Sequence, residues 1–160
     1  MNPSGMASEM MNRRHSFHNN SNNNSSSDTL EDQLRAWTHQ LFYKALLEVR
    51  SDEIDRILDF KEVTVIDKIT NNGNTALHVA VGATRKSELL QKLLERTPKN
   101  TQLLDLRNSD GSTLLHVAAI VGNTQAADIL VARNPKLLFA KDNEVTAISS
   151  KDFRLALDLL

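Results

Sequence analysis

The chain has 160 residues, with 19 basic and 20 acidic side chains and a formal net charge of −1. This length accommodates one domain and a tail, and a nearly neutral chain has no overall electrostatic attraction to nucleic acid. Cysteine is absent from the sequence, which excludes disulfide bonds, thiolate metal sites and cysteine nucleophiles. No window approaches the run of about 20 apolar residues that a membrane-spanning helix needs. We therefore expect a cytoplasmic chain that itself contacts neither nucleic acid nor a membrane.

The amino-terminal region has the composition of a disordered tail. Residues 19–27 read NNSNNNSSS and have nothing to bury, so the entropy lost on ordering them cannot be offset. We predict that residues 1–27 are a disordered tail rich in asparagine and serine.

Two short motifs lie within this tail. Arg13-Arg14-His15-Ser16-Phe17 resembles a site for basophilic serine kinases, which makes Ser16 a speculative phosphorylation site. The alternative interpretation is an ordinary solvated tail. His15 and His18 have metal-ligand spacing but no carboxylate or cysteine partner, so we predict no metal site there.

The first ordered element is predicted to be a helix from Asp28. Asp28 and Glu31 have the spacing of a helix capping box, with an acidic cap in place of Ser or Thr. Apolar residues then follow at intervals of three and four, which predicts one stripe facing the core. The stripe consists of Leu30, Leu34, Trp37, Leu41 and Ala45.

The middle of the chain contains an internal repeat. Residues 73–80 read GNTALHVA and residues 111–118 read GSTLLHVA, an offset of 38 positions. The similarity continues downstream, where Pro98 matches Pro135. Because glycine tolerates tight turns and proline ends helices, each unit is predicted to be a turn, a short helix, a tight turn and a second helix. The predicted turn glycines are Gly73, Gly82, Gly111 and Gly122, and the predicted second helices are residues 88–95 and 125–132.

These two segments resemble the ankyrin repeat, whose signature is Thr-Pro-Leu-His-x-Ala in about 33 residues. The resemblance implies an all-α solenoid of stacked helix-turn-helix units with β-turn fingers. It also implies that the threonines cap first helices, the leucines fill the core, the histidines hydrogen-bond the turn of their own or the next unit, and the alanines let helices approach. The structural repeat signature comprises Gly73, Thr75, Leu77, His78, Ala80, Gly111, Thr113, Leu115, His116 and Ala118.

On this resemblance, the repeat domain is expected to occupy residues 28–160. Clear units are expected at about 70–107 and 108–141, after a degenerate first unit at about 40–68. An incomplete unit follows at 142–160, where Val145 and Ser149 replace the expected glycine and histidine.

Flanking residues further resemble one plant group of ankyrin-repeat proteins. Ile69-Thr70 precede the first signature, and Asn134-Pro135 with two leucines follow the second helix of the third unit, counting the degenerate unit as the first. Members of that group carry a carboxyl-terminal PGG domain with membrane helices, which is absent here. The resemblance implies a fragment or truncated form of a longer protein, anchored with its repeats on the cytosolic face of the plasma membrane and acting in stress or defence signalling.

The sequence favours a non-catalytic scaffold, expected to be monomeric, that binds protein partners and holds no cofactor or metal. It contains no Gly-x-Ser-x-Gly elbow and no glycine-rich phosphate loop. Partner contacts are expected at turn tips and on the exposed side of first helices. Polar tips are also what any solvated turn displays, and the two apolar candidates could instead pack beneath the next finger. The candidates are Asn71, Asn72, Asn74, Ser109, Asp110, Ser112, Ile120 and Val121.

Overall fold

The computed structural model describes residues 27–142, and in this part of the chain every long element is a helix. The chain divides into two units between Arg35 and Ala36, within the first helix, and the repeats lie in the second unit. The six α-helices are α1 Ser27–Leu47, α2 Ser51–Asp59, α3 Ala76–Ala83, α4 Ser87–Glu95, α5 Leu114–Val121 and α6 Thr124–Arg133. Short 3-10 helices span Leu103–Asp105 and Pro135–Phe139.

Threonine side chains start the first helix of each repeat, as the sequence predicts. Thr75 precedes α3 and Thr113 precedes α5, and each threonine side chain accepts a hydrogen bond from the backbone of the histidine three residues later. The turns before them need a left-handed backbone, with φ of 69° at Gly73 and 76° at Gly111. Glycine adopts that conformation without the steric cost of a Cβ atom.

The helices of the repeats pack in two layers. The first helices α3 and α5 contact one another, as do the second helices α4 and α6, and each first helix also contacts the second helix of its own unit. The predicted second helices are confirmed, each with slightly wider bounds than the sequence pattern indicates. The all-α stack of helix pairs is confirmed as well.

Aliphatic side chains fill the space between the layers. Helix α4 buries Leu89, Leu90, Leu93 and Leu94, so all four of its leucines face the core. Helix α6 buries smaller residues over the same stretch, Ala126 and Ala127, together with Leu130.

The predicted apolar stripe of α1 is wrong over most of its length. Leu30, Leu34 and Trp37 are 69%, 53% and 59% exposed, whereas Ala45 is buried. The buried residues of α1 are Phe42, Ala45 and Leu46, whose spacing of three and one defines a different stripe near the end of the helix. Helical periodicity identifies a possible face but not the turns at which packing begins.

The prediction of a turn at Gly82 is also wrong. Gly82 lies inside α3, which continues to Ala83, whereas Gly122 ends α5 in the left-handed conformation with φ of 66°. The reason is visible in the repeat offset of 38 positions, which aligns Gly82 with Ile120 and not with Gly122.

Within residues 27–142, no helix is long and apolar enough to cross a membrane. The predictions made for the amino-terminal tail, including Ser16, His15 and His18, lie outside the described residues. So does the incomplete unit beyond Asp142.

Candidate functional site

Each repeat begins with a finger, which we define as residues 70–74 in the first repeat and 108–112 in the second. The first finger is closed by Gly73 N–H donating to the Thr70 carbonyl at 2.9 Å. The second is closed in the same way by Gly111 N–H donating to the Asn108 carbonyl at 3.0 Å. Each glycine thus adopts the backbone conformation that the turn needs and donates the hydrogen bond that closes it.

The two fingers are joined directly to one another. Ser109 N–H donates to the Asn72 carbonyl at 2.9 Å, and the Asn108 side-chain amide donates to the Asn74 side-chain oxygen at 3.1 Å. The Asn108 oxygen in turn accepts from Ser112 N–H at 2.9 Å. These bonds fix the spacing of the fingers, so the surface between them is preorganised.

His78 links the two repeats through both of its ring nitrogens. Thr75 N–H donates to Nδ1 at 3.3 Å, so Nδ1 carries no proton, and Nε2–H donates to the Ser112 carbonyl at 3.2 Å. Burial lowers the pKa of His78, against the raising effect of the Ser112 hydrogen bond. The neutral ring therefore acts as a capping-box partner and a bridge between repeats.

His116 makes the same capping box in the second repeat. Thr113 N–H donates to its Nδ1 at 3.1 Å. Burial lowers the pKa of His116, while the Asp142 carboxylate opposes this shift and Arg107 adds to it. The hydrogen-bonding roles inferred for both histidines thus match the geometry.

A groove of about 690 Å³ lies between the fingers and the layer of first helices. Its floor is apolar and its rim is rich in carboxamides. The floor consists of Val79, Gly82 and Ala83 from α3 with Val117 and Ile120 from α5, and Asn71, Asn72, Asn74 and Asn108 contribute to the rim. Gln40 and Tyr43 of α1 complete the lining at one end.

The floor is uneven because the repeats differ at one aligned position. Gly82 in α3 corresponds to Ile120 in α5. A Cβ atom at Gly82 would lie 3.2 Å from Cγ1 of Val117, whereas the Ile120 side chain is 69% exposed. Glycine at position 82 therefore allows Val117 of α5 to approach α3 closely, whereas the corresponding side chain of the second repeat, Ile120, is exposed.

The lining of the groove is electrically neutral. Its 14 residues include no aspartate, glutamate, lysine or arginine. The groove includes His78, whose ring nitrogens are both engaged within the stack. The described charges that form ion pairs lie elsewhere, as in the contact between Lys92 of α4 and Asp55 of α2 at 2.6 Å.

Four of the eight sequence-predicted contact residues meet in this groove: Asn71, Asn72, Asn74 and Ile120. Three others, Ser109, Asp110 and Val121, are exposed but do not line it.

The expectation of an exposed Ser112 needs correction. Ser112 is only 6% exposed, because its backbone pairs with Asn108 and with the His78 ring inside the stack. Ser112 lies between the turn glycine Gly111 and the helix cap Thr113, and its carbonyl takes part in the contact between the repeats.

Ten of the 14 groove residues were not predicted as partner contacts. Gln40, Tyr43, Ala83 and Val117 line the groove without having been singled out, and Gly82 was predicted only as a turn glycine. The repeat offset of 38 positions identifies Gly82, because it aligns Gly82 with the predicted contact residue Ile120. Nothing in the periodicity of α1 pointed to Gln40 or Tyr43.

Helix pairs stacked in two layers, with turn fingers bonded to one another, define a solenoid repeat protein. The family model described as ankyrin repeat matches residues 72–105 and 110–143. The chain thus carries two consecutive ankyrin repeats, and its fold is an ankyrin-repeat solenoid. Ankyrin repeats are interaction modules, which implies protein partners.

Proposed function

We propose that this chain is a non-catalytic scaffold that binds a protein partner in the groove between its fingers and first helices. The observation that carries this proposal is the exposure of Ile120 at 69% on the floor of a groove rimmed by carboxamides. An exposed aliphatic side chain within a concave, polar-rimmed surface is typical of a binding site.

Rigidity of the groove supports the same function. Finger spacing is set by the Asn108 to Asn74 and Ser109 to Asn72 hydrogen bonds, and the helix layer is tied to the second finger by His78. A partner that binds such a surface loses little additional protein entropy. Preorganisation therefore favours binding without a large rearrangement of the repeats.

We further propose that residues 28–160 form the repeat domain, with residues 40–68 acting as a degenerate first unit. Phe42 and Ile54 from this segment belong to the same buried core as the two clear repeats. Gln40 and Tyr43 line the groove from the same segment. A terminal unit that covers the core and extends the binding surface is expected of repeat proteins.

Affinity capture from the source cells with the full chain tests the binding function. We expect Ile120→Lys to remove the partners that wild-type protein captures, because it places a charge on the apolar floor. A cation in the last turn of α5 suits the helix dipole, so the fold is expected to persist. Circular dichroism of the variant would verify this.

The matched control is Gln91→Lys, which adds the same charge to an exposed position on α4 outside the groove. Partners should be retained by this control. If both variants capture the same partners as the wild-type chain, the groove is not the binding site.

A finer hypothesis is that the repeats form the cytosolic regulatory part of a plant membrane-anchored signalling protein of the PGG type. Its support is the sequence resemblance at Ile69-Thr70 and at Asn134-Pro135. Sequencing the full transcript tests it, since the hypothesis requires apolar stretches of about 20 residues downstream.

A further inference from the structure

Helix α2 is held in the stack differently from the helices of the two ankyrin repeats. We propose that α2 is a conformational switch: it opens reversibly from the stack while the two repeats stay folded, and its ion pairs with α4 hold it closed. No residue of α2 lines the groove, so this inference is independent of the proposed binding site.

The turn that joins α1 to α2 places a valine in the left-handed backbone conformation. Val49 has a φ of 55°. Arg50 N–H donates to the Ala45 carbonyl at 2.9 Å, and Val49 N–H donates to the Leu46 carbonyl at 3.2 Å. These two hydrogen bonds form a Schellman motif, in which the left-handed position is usually glycine. A β-branched residue is strained there, because its Cβ atom crowds the following carbonyl oxygen.

The corresponding turn of the second repeat has the same hydrogen bonds without the strain. Gly122 N–H donates to the Ala119 carbonyl at 3.2 Å, and Asn123 N–H donates to the Ala118 carbonyl at 2.8 Å. Gly122 has a φ of 66°, which glycine adopts at no steric cost. The turn before α2 therefore carries a backbone strain that the turn before α6 does not.

A second strained residue follows α2. Lys61 has a φ of 59°, and it is exposed to solvent. Its N–H donates to the Leu58 carbonyl at 3.3 Å, so this left-handed residue closes the end of the helix. Strain on both sides of α2 lowers the free energy of opening, because opening releases both residues.

Few contacts oppose this strain. Helix α2 buries only Ile54, whereas α4 buries four leucines. Arg50 precedes α2 without making a side-chain cap hydrogen bond. The helices α3, α5 and α6 are each capped by the side chain before them, from Thr75, Thr113 and Asn123. A helix with little burial and no cap belongs to the least stable part of a fold.

Ion pairs with the end of α4 stabilise the closed position of α2. The carboxylate of Asp55 lies 2.6 Å from Lys92 Nζ and 3.4 Å from the Arg96 guanidinium. Asp59 lies 2.9 Å from the same guanidinium. These side chains are 34% to 66% exposed, so dissolved salt screens the pairs. Opening should therefore respond to ionic strength, and it leaves Lys92 and Arg96 without these partners.

Amide hydrogen exchange of the full chain, measured by NMR, tests the switch. We expect protection against exchange to be at least about tenfold lower in α2 than in α4. Raising the salt concentration from about 0.05 M to about 0.5 M should lower the protection of α2 by about twofold to fivefold and change that of α4 far less. Equal protection of α2 and α4 would overturn the proposal, because the stack would then open as one unit.

The contribution of the ion pairs is tested by Asp55→Asn. This variant should lower the protection of α2 by about twofold to fivefold and remove most of its response to salt. The matched control is Asp52→Asn, at an exposed position of α2 that pairs with no residue in the described range 27–142. The control should keep the salt response. A full salt response in Asp55→Asn would show that these pairs do not hold α2 closed.

The contribution of strain is tested by adding it to one turn and removing it from another. Gly122→Val places valine in the turn before α6, where a Cβ atom meets nothing within 4 Å. We expect the protection of α6 to fall about tenfold relative to α4. Lys61→Gly removes strain at an exposed position and should raise the protection of α2 by about twofold to fivefold. An unchanged α6 in the first variant, or an unchanged α2 in the second, would overturn strain as the cause of opening.

Discussion

The two ankyrin repeats share a signature but are held in place by different interactions. In the first repeat, α4 buries four leucines, and Lys92 of α4 and Arg96 just after it contact acidic residues of α2. In the second repeat, α6 buries two alanines and one leucine. Its main polar link is Asn123, which precedes α6 and donates to the carbonyls of Val81 and Thr84 at 2.9 and 3.2 Å.

This difference shows that two repeats with the same signature share a backbone conformation but are stabilised by different interactions. The first repeat depends on apolar volume, since its ion pairs are partly exposed and such pairs contribute little. The second repeat combines smaller side chains with hydrogen bonds to the first. Large-to-small changes and deletion of polar links should therefore affect the two repeats unequally.

The largest effect is expected from changing the core residues Leu90 and Ala127, which are 37 positions apart, as Pro98 and Pro135 are. Leu90 is 1% exposed, so Leu90→Ala should lower the free energy of unfolding by about 3 kcal/mol through lost burial and a cavity. Ala127→Leu should cost about 1 to 3 kcal/mol, because Ala127 is 3% exposed and a larger side chain would overpack the core. Urea denaturation followed by circular dichroism measures both values.

The control for this pair is Leu47→Ala, at an aliphatic side chain that is 43% exposed and should matter far less. If Leu90→Ala is as mild as the control, the first repeat does not depend on leucine packing.

The next largest effect is expected at Asn123. Its oxygen also accepts from Ala126 N–H at 3.1 Å, so Asn123→Ala removes a helix cap and leaves buried carbonyl groups without their donor. We expect a loss of about 2 kcal/mol in the free energy of unfolding. Thermal and urea denaturation would measure it, with Asn100→Ala in an exposed loop as the matched control. Equal stability of the two variants would show that the second repeat does not need this link.

Much of the fold follows from the sequence because the repeat is local. The threonine caps, the positive-φ turns at Gly73 and Gly111, and the second helices each depend on residues close together in the chain. The groove depends instead on which faces of α1, α3 and α5 come together, and that is a tertiary property. Asn123 was missed for the same reason, since its carbonyl partners lie 39 and 42 positions away.

The smallest effect, and the one that best compares the two repeats, is the response to acid. His78 is neutral in the fold, and burial lowers its pKa below the 6.5 of an unperturbed histidine. Between those two pKa values the unfolded chain binds more protons than the folded chain, so stability is complete above about pH 6.5 and falls as the pH drops through the folded pKa. A proton on Nδ1 also displaces the hydrogen bond from Thr75 N–H.

We therefore expect the melting temperature to fall between about pH 7.5 and about pH 5, and His78→Gln to reduce that fall. Glutamine retains an acceptor for the cap but does not titrate in this range. The matched variant His116→Gln should have a smaller effect, because the Asp142 carboxylate opposes the lowering of the His116 pKa. A pH response that is equally reduced by both variants would show that the bridge from His78 to Ser112 gives the first repeat no special sensitivity.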